Sequence, residues 1–225
     1  MIASPPYPEG PARPDERVLR YPRRCLVLLG GLPGAGKSTL LGRLYGLSGA
    51  ESTTVRTADG VRVVDSLQAR NRLTPYLAAV PYPSWRWITH LLHYLRVLVA
   101  LRCGGPVIAH ETGTRRLVRL LFALYCRLVG AELHVLLIDA APDEARRGQF
   151  ARGRRVSAHS FRRHLRRWRA LRDAVVRDPR SATPAARSLV LLDRSAAARL
   201  ERIEFTRGES PRPGGTHGSY RAVAA

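Results

Sequence analysis

The sequence predicts a three-layer α/β fold, a parallel five-stranded sheet with helices on both faces. Two observations carry this reading. Short apolar runs alternate with longer amphipathic segments along the chain, as expected of strands joined by helical crossovers. The first of those runs also ends in a glycine-rich loop that opens directly into a helical pattern.

Cys25 to Leu29 (CLVLL) is short and wholly apolar, which fits a strand buried on both faces. A helix follows over Ser38 to Leu47. Val61 to Val64 is the second strand, and the Asp59-Gly60 turn before it can close a small hairpin with Thr53 to Thr57. Ser84 to Cys103 reads as a long helix, capped by Ser84 after the rigid Pro81-Tyr82-Pro83 and stopped by Gly104-Gly105-Pro106. Val107 to His110 is the third strand. Arg115 to Val129 is a helix that ends at Gly130, and Glu132 to Ile138 is the fourth strand. Pro142 starts a helix running to about Gly148, and Ser160 to Arg177 forms another, ended by Asp178-Pro179. Leu189 to Leu192 is the fifth strand and Ala196 to Ile203 the last helix. No internal repeat stands out.

The chain has 225 residues, suited to one domain with tails. Residues 1–20 are rich in proline, glycine and charge and read as a disordered tail, as does 206–225. The domain therefore spans 21–205. Cys25, Cys103 and Cys126 are scattered through apolar runs without CxxC spacing, the usage of reduced, core-packed thiols. No signal peptide is visible, and the longest apolar stretch, Ile88 to Leu101, is interrupted by His90, His93 and Arg96. These features exclude a membrane span from the reading and place the protein in the cytoplasm, as a monomer or small homo-oligomer. A formal charge of +21 implies attraction to polyanions, whether nucleoside triphosphates, phosphorylated substrates or nucleic acid.

Of the 38 basic residues only Lys37 is lysine. Arginine is a planar fork and lysine a compact point charge, so a lysine kept in so arginine-biased a chain marks a site that needs it. Its surroundings, Gly31-Leu32-Pro33-Gly34-Ala35-Gly36-Lys37-Ser38, fit GxxxxGK[ST] at every fixed position, between a strand and a helix. Such glycines let backbone N–H groups wrap around phosphates at a helix N-terminus. Lys37 would reach the β- and γ-phosphates of ATP, Ser38 would give a hydroxyl to Mg²⁺, and Thr39 follows on the first helical turn.

GLPGAGKSTL, with an acid after the second strand and a late arginine-rich segment, resembles the P-loop kinases grouped with AAA-family ATPases. These are similar to nucleotide kinases, to the kinase part of polynucleotide kinase and to zeta toxins. The resemblance implies a P-loop NTPase fold with strand order 2-3-1-4-5, a lid over the triphosphate and transfer of the γ-phosphoryl group. It also implies that an acid ending the second strand acts as base toward an acceptor hydroxyl. Here the match is Asp65; the arginine common three residues later is replaced by Gln68, with Arg70 and Arg72 beyond. Capping of the next helix is the alternative role for Asp65.

Glu111, after Val107-Ile108-Ala109-His110, holds the place where a carboxylate serves Mg²⁺. Asp139, after the fourth strand, is its rival, and the implied strand order favours Glu111. Thr112, Gly113, Thr114 and Arg115 follow at the same carboxyl edge, where open α/β sheets bind ligands. His110 reads as structural.

Arg146 to Arg172 contains 11 arginines in 27 residues. Its first part resembles a lid over about 146–160, with Gly148 and Gly153 as hinges. Arg152 and Arg154 are the residues expected to neutralise the transferring phosphoryl group, with Arg155 and Arg147 behind them. In the second part Phe161, Leu165, Trp168, Leu171 and Val175 form one apolar face. The arginines between them form a solvated face or a landing surface for a phosphate backbone. Tyr82, Trp85, Trp87 and Tyr94 pack the start of the long helix or line an acceptor pocket. Arg194 stands where it would stack on adenine.

The expected function is an ATP-dependent phosphotransferase. The alternatives are a nucleotide-dependent ATPase or switch that binds nucleic acid or protein, and a kinase like the zeta toxins. The acceptor stays open among small metabolites, aminoglycoside-like compounds, nucleotides and nucleic-acid ends.

Overall fold

The computed structural model describes residues 17–111, 114–150, 157–178, 182–183, 185–206 and 220–223, the last four by backbone alone. Its centre is β2 (Cys25–Gly31), in which all seven residues are buried. β5 (Val107–His110) pairs with β2 on one side and β6 (Glu132–Asp139) on the other. β4 (Arg62–Asp65) lies outside β5, and β7 (Ser188–Asp193) lies outside β6. All four pairings are parallel. The five strands expected from sequence thus stand in the spatial order second, third, first, fourth, fifth.

Two further strands widen this sheet to seven. β3 (Val55–Arg56) adds antiparallel to β4 through the Asp59-Gly60 turn, where Gly60 N–H donates to the Thr57 carbonyl at 3.0 Å. β9 (Tyr220–Val223) adds parallel to β7. A separate two-stranded parallel sheet joins β1 (Val18–Pro22) to β8 (Arg202–Thr206).

Among the described residues the helices are α1 (Lys37–Tyr45), α2 (Ser66–Leu77), α3 (Tyr82–Arg102), α4 (Arg116–Leu128), α5 (Pro142–Phe150), α6 (Ala158–Arg177) and α7 (Arg194–Arg199). Parallel crossovers are right-handed. The α1 connection runs from β2 toward β4, and those through α3, α4 and α6 run the opposite way across the sheet. Handedness therefore puts α1 on one face and α3, α4 and α6 on the other. The apolar stripe of α6 is buried as its spacing predicts: Phe161, Trp168, Leu171 and Val175 are buried and Leu165 is half-buried.

Several sequence expectations need correction. Among the described residues the sheet has seven strands, not five, and the segments read as tails contribute to strands over Val18–Pro22 and Tyr220–Val223. Those pairings join residues far apart in the chain, so local composition does not encode them. The last helix stops at Arg199, and Ile203 belongs to β8, where alternation turns Ile203 and Phe205 toward the core. α3 starts at Tyr82 with Pro83 in its first turn, so Ser84 is inside the helix and not its cap. Cys25 and Cys126 are buried, but Cys103 is exposed. Burial pushes the Cys126 thiol up to about 12. Among the described residues no helix is long and apolar enough to cross a membrane.

His93 of α3 is buried with neither ring nitrogen hydrogen-bonded. Burial first, and the neighbouring His110 second, push it down to about 3. An unfolded histidine titrates near 6.5, so between about pH 6.5 and 3 the unfolded chain binds a proton that folded His93 refuses. Stability therefore falls with pH in that window, by up to ~1.4 kcal/mol per pH unit for this group. Thermal melts from pH 7 to 5 should show the decline, and His93→Phe should flatten it. An unchanged slope in that variant contradicts the assignment.

Candidate active site

Parallel register sets the carboxyl ends of the central strands in one row. Asp65 stands opposite His110, His110 opposite Leu29, Gly31 opposite Ile138, and Asp139 opposite Asp193. The loop between β2 and α1 rises from the middle of this edge. Gly34 and Gly36 take left-handed φ values of 92° and 102°, which side-chain-bearing residues avoid. Ala35 N–H closes the loop onto the Leu32 carbonyl at 3.0 Å. Lys37 is the first residue of α1 and is 5% exposed. Its Nζ donates to the carbonyls of Gly31 and Leu32 at 2.7 and 2.8 Å. The ammonium is thereby held over the loop by the loop's own backbone.

Asp65 ends β4 and is 5% exposed. Oδ1 accepts from Leu67 N–H at 2.9 Å, capping α2. Gln68 completes a capping box: its Oε1 accepts from Asp65 N–H at 3.1 Å and its Nε2 donates to the Val63 carbonyl at 3.2 Å. The other carboxylate oxygen lies 2.8 Å from His110 Nδ1. Burial alone would raise this carboxyl, but His110 and the Leu67 N–H outweigh it and hold Asp65 well below the usual carboxylate range. Asp65 is therefore ionised at neutral pH. It shares a cavity of about 380 Å³ with Ser38, Thr39, Ser48, Gly49 and Glu51. The Glu51 carboxylate is bound by Ser48 and Gly49, with N–H donors at 2.7 and 2.9 Å.

The two candidate metal carboxylates differ in their surroundings. Asp139 accepts from Trp168 Nε1 at 3.2 Å and from Arg172 Nε at 2.7 Å, one contact to each oxygen. It serves as the anchor of α6. Glu111 follows β5, is 7% exposed, and its N–H donates to the Leu29 carbonyl at the root of the phosphate loop. Tyr94 Oη lies 3.5 Å from Glu111 Oε1. Burial first, then the Glu111 charge, pushes the Tyr94 hydroxyl up to about 12. Ser38, Asp65 and Glu111 supply hard oxygen donors at this edge, the chemistry Mg²⁺ prefers. Among the described residues no cluster of three or more His, Cys, Asp or Glu could hold a metal by itself. An ion carried mainly by phosphate oxygens and water needs no such cluster.

The sequence profile of a family described as AAA domain matches residues 26–177, from the second residue of β2 to the end of α6. The chain belongs to this AAA-domain family. None of the curated proteins matches it. Solved structures similar to it include a gluconokinase from Sinorhizobium meliloti, at 15% identity over 80% of this chain and 93% of that one, with a TM-score of 0.44. The Deinococcus radiodurans tunicamycin resistance protein is similar at 16% identity over 65% of this chain and 81% of that one, with a TM-score of 0.45. A structure from the PezAT chromosomal toxin-antitoxin system of Streptococcus pneumoniae is similar at 16% identity over 58% of this chain, with a TM-score of 0.44. This chain spans 52% of that PezAT chain. The AAA-family reading of the sequence holds.

In this AAA domain the structure gathers Lys37, Ser38, Thr39, Asp65 and Glu111 at one sheet edge, and it directs Asp139 to α6. Arg152, Arg154, Arg155, Gly153, Thr112 and Gly113 lie outside the described residues. Arg147 is exposed on α5. Arg146 lies over the Phe161 ring at 5.2 Å, and Arg194 reaches the Glu144 carbonyl at 3.4 Å. Both amide atoms of Gln68 are engaged by the cap, and the side chain lines the cavity beside Asp65.

Sequence reasoning missed the contact between α5 and the phosphate loop. Gln149 Nε2 donates to the Pro33 carbonyl at 2.8 Å. Gly148 is helical and not a hinge: a Cβ there would sit 2.5 Å from the Gly34 carbonyl oxygen. A Cβ on Gly34 would in turn collide with the Ala145 carbonyl. The glycine within a helical run was the available signal, since helices disfavour glycine without a packing reason.

Gly148→Ala tests this contact. In an open helix the change stabilises by ~0.5–1 kcal/mol. Against the phosphate loop it overpacks, at a cost of ~1–3 kcal/mol. The melting temperature and ATP affinity should both fall, measured by thermal melts with and without nucleotide. A rise in melting temperature contradicts the contact.

Proposed function

We propose that this AAA domain is an ATP-dependent phosphotransferase acting on a hydroxyl of a small acceptor. The supporting observation is one cavity shared by the phosphate-loop residues Ser38 and Thr39 and the buried, ionised Asp65. Backbone N–H groups of residues 33–38 and the N-terminus of α1 cradle the triphosphate. Lys37 reaches the β- and γ-phosphates from its seat on the Gly31 and Leu32 carbonyls. Ser38 and Glu111 would hold Mg²⁺, directly or through water, and the ion would supply charge neutralisation to the triphosphate.

The acceptor oxygen forms its bond to the γ-phosphorus as the bond to the β,γ-bridging oxygen breaks, and the acceptor proton passes to Asp65. A carboxylate held at low pKa is a weak base, which suits phosphoryl transfer, where little proton abstraction precedes the loose transition state. Asp65 contributes chiefly by orienting the hydroxyl. As the resemblance implies, Arg152 and Arg154, with Arg147 and Arg155 behind them, would neutralise charge on the transferring phosphoryl group. The cavity of about 380 Å³ suits an acceptor of metabolite size. The absence of a spanning helix among the described residues and the free thiols fit a cytoplasmic site, where ATP is available.

A second reading draws on Gln68. With the acceptor-binding arginine replaced and the glutamine spent on the cap, water becomes the acceptor and the domain a slow ATPase or switch. Incubation with γ-labelled ATP and metabolite pools separates the two: label on an organic product supports transfer, and label only as free phosphate supports hydrolysis.

Lys37→Ala should weaken ATP binding at least ~100-fold while the circular dichroism spectrum is kept. Calorimetry showing unchanged affinity in the folded variant rejects the site. Glu111→Gln should lower Mg²⁺-dependent turnover by ~10²-fold or more. Asp139→Asn should instead cost ~1–3 kcal/mol of stability, through Trp168 and Arg172, and leave turnover nearly intact. The reverse pattern would assign the metal to Asp139.

A further inference from the structure

Nine of the thirteen large apolar side chains exposed among the described residues lie on two neighbouring helices. On α4 they are Leu117, Leu120, Leu121, Leu124 and Leu128, between 45% and 79% exposed. At helical periodicity these five share one stripe, opposite the buried Phe122, Ala123 and Cys126. Apart from the buried Arg119, the helix is therefore apolar both toward the sheet and away from it. α3 repeats the arrangement: Trp87, Leu91, Leu95 and Val99, spaced by four, lie outward, opposite His93, Val97 and Ala100. Tyr94 of α3 meets Phe122 of α4 edge-on at 5.7 Å, which holds the two helices side by side. The nucleotide site uses none of these outward side chains.

The charges beside the stripe have one sign. Neither α3 nor α4 contains an aspartate or glutamate, and Arg102, Arg116 and Arg127 are exposed on them. α6, on the same face of the sheet, adds exposed Arg162, Arg166, Arg167 and Arg169 against the single acid Asp173. A second copy docked here would set arginine against arginine, with no carboxylate on either helix to answer them. An anionic lipid surface meets both demands, because its acyl boundary accepts leucines and its headgroup phosphates accept arginines. Among the described residues no helix is long and apolar enough to span a bilayer, so such contact is peripheral. We propose that the outer α3–α4 face docks on an anionic phospholipid bilayer, with α4 lying in the plane of the interface and its leucines in the acyl boundary.

The test is sedimentation of the full chain with sucrose-loaded vesicles. One set is phosphatidylcholine alone and the other is equal parts phosphatidylcholine and phosphatidylglycerol. Partition onto the mixed vesicles should exceed that onto phosphatidylcholine by ~10-fold or more. Tryptophan emission should shift to the blue, through Trp87, since Trp85 and Trp168 are already buried. The shift should vanish in Trp87→Phe. Leu117→Ser, Leu121→Ser and Leu124→Ser combined should keep ATP binding and lose on the order of 100-fold in partition. Electrostatic adsorption alone would leave the triple variant bound and Trp87 unshifted, and would overturn the proposal. Failure of the wild-type chain to sediment with mixed vesicles overturns it as well. So does a dimer, seen by light scattering, that the triple variant dissociates while neither form binds vesicles. Should the triple variant misfold, the emission of the wild-type chain decides, and an unshifted spectrum rejects the face.

Discussion

The phosphate loop sits between two backbones that leave no room for side chains. A Cβ on Gly31 would lie 2.7 Å from the Ile138 carbonyl oxygen at the end of β6, and Gly34 and Gly148 meet backbone to backbone. The loop is thus wedged between the sheet edge and α5. Lys37 adds the third constraint by bonding the carbonyls of Gly31 and Leu32. Together these contacts keep the loop N–H groups oriented before a nucleotide arrives, so little ordering entropy is left to be lost on binding. The same contacts join the loop to α5, the helix that leads to the arginine-rich segment.

The acids at the sheet edge divide by what surrounds them. Asp139 lies against a tryptophan N–H and a guanidinium from α6, and its charge is spent on holding that helix down. Glu111 is bound through its backbone to the loop strand and keeps its carboxylate near Tyr94 at the ligand-binding edge. Asp65 caps α2, which fixes the carboxylate's position, and His110 holds it ionised. Gln68 belongs to the same device, since its amide closes the capping box from the other side.

Away from the site the surface is unusually one-sided. The outward leucines of α4 carry a desolvation benefit that the fold does not collect.

Much of this protein was legible in the sequence because it is written in local spacing. The phosphate loop, the lone lysine, the five central strands and the buried stripe of α6 each depend on residues within a few turns of one another. Periodicity of 3.6 or 2, glycine punctuation and a single lysine sufficed to read them. The tertiary structure alone decided the contacts between distant segments: His110 beside Asp65, Arg172 on Asp139, Gly148 against Gly34, and the pairing of β1 with β8 and β9 with β7. Those depend on sheet register and crossover direction, which bring together residues from strands and helices far apart in the chain. No spacing along the chain records such distances, and for that reason Asp139 and Glu111, alike in sequence, part company only in the fold.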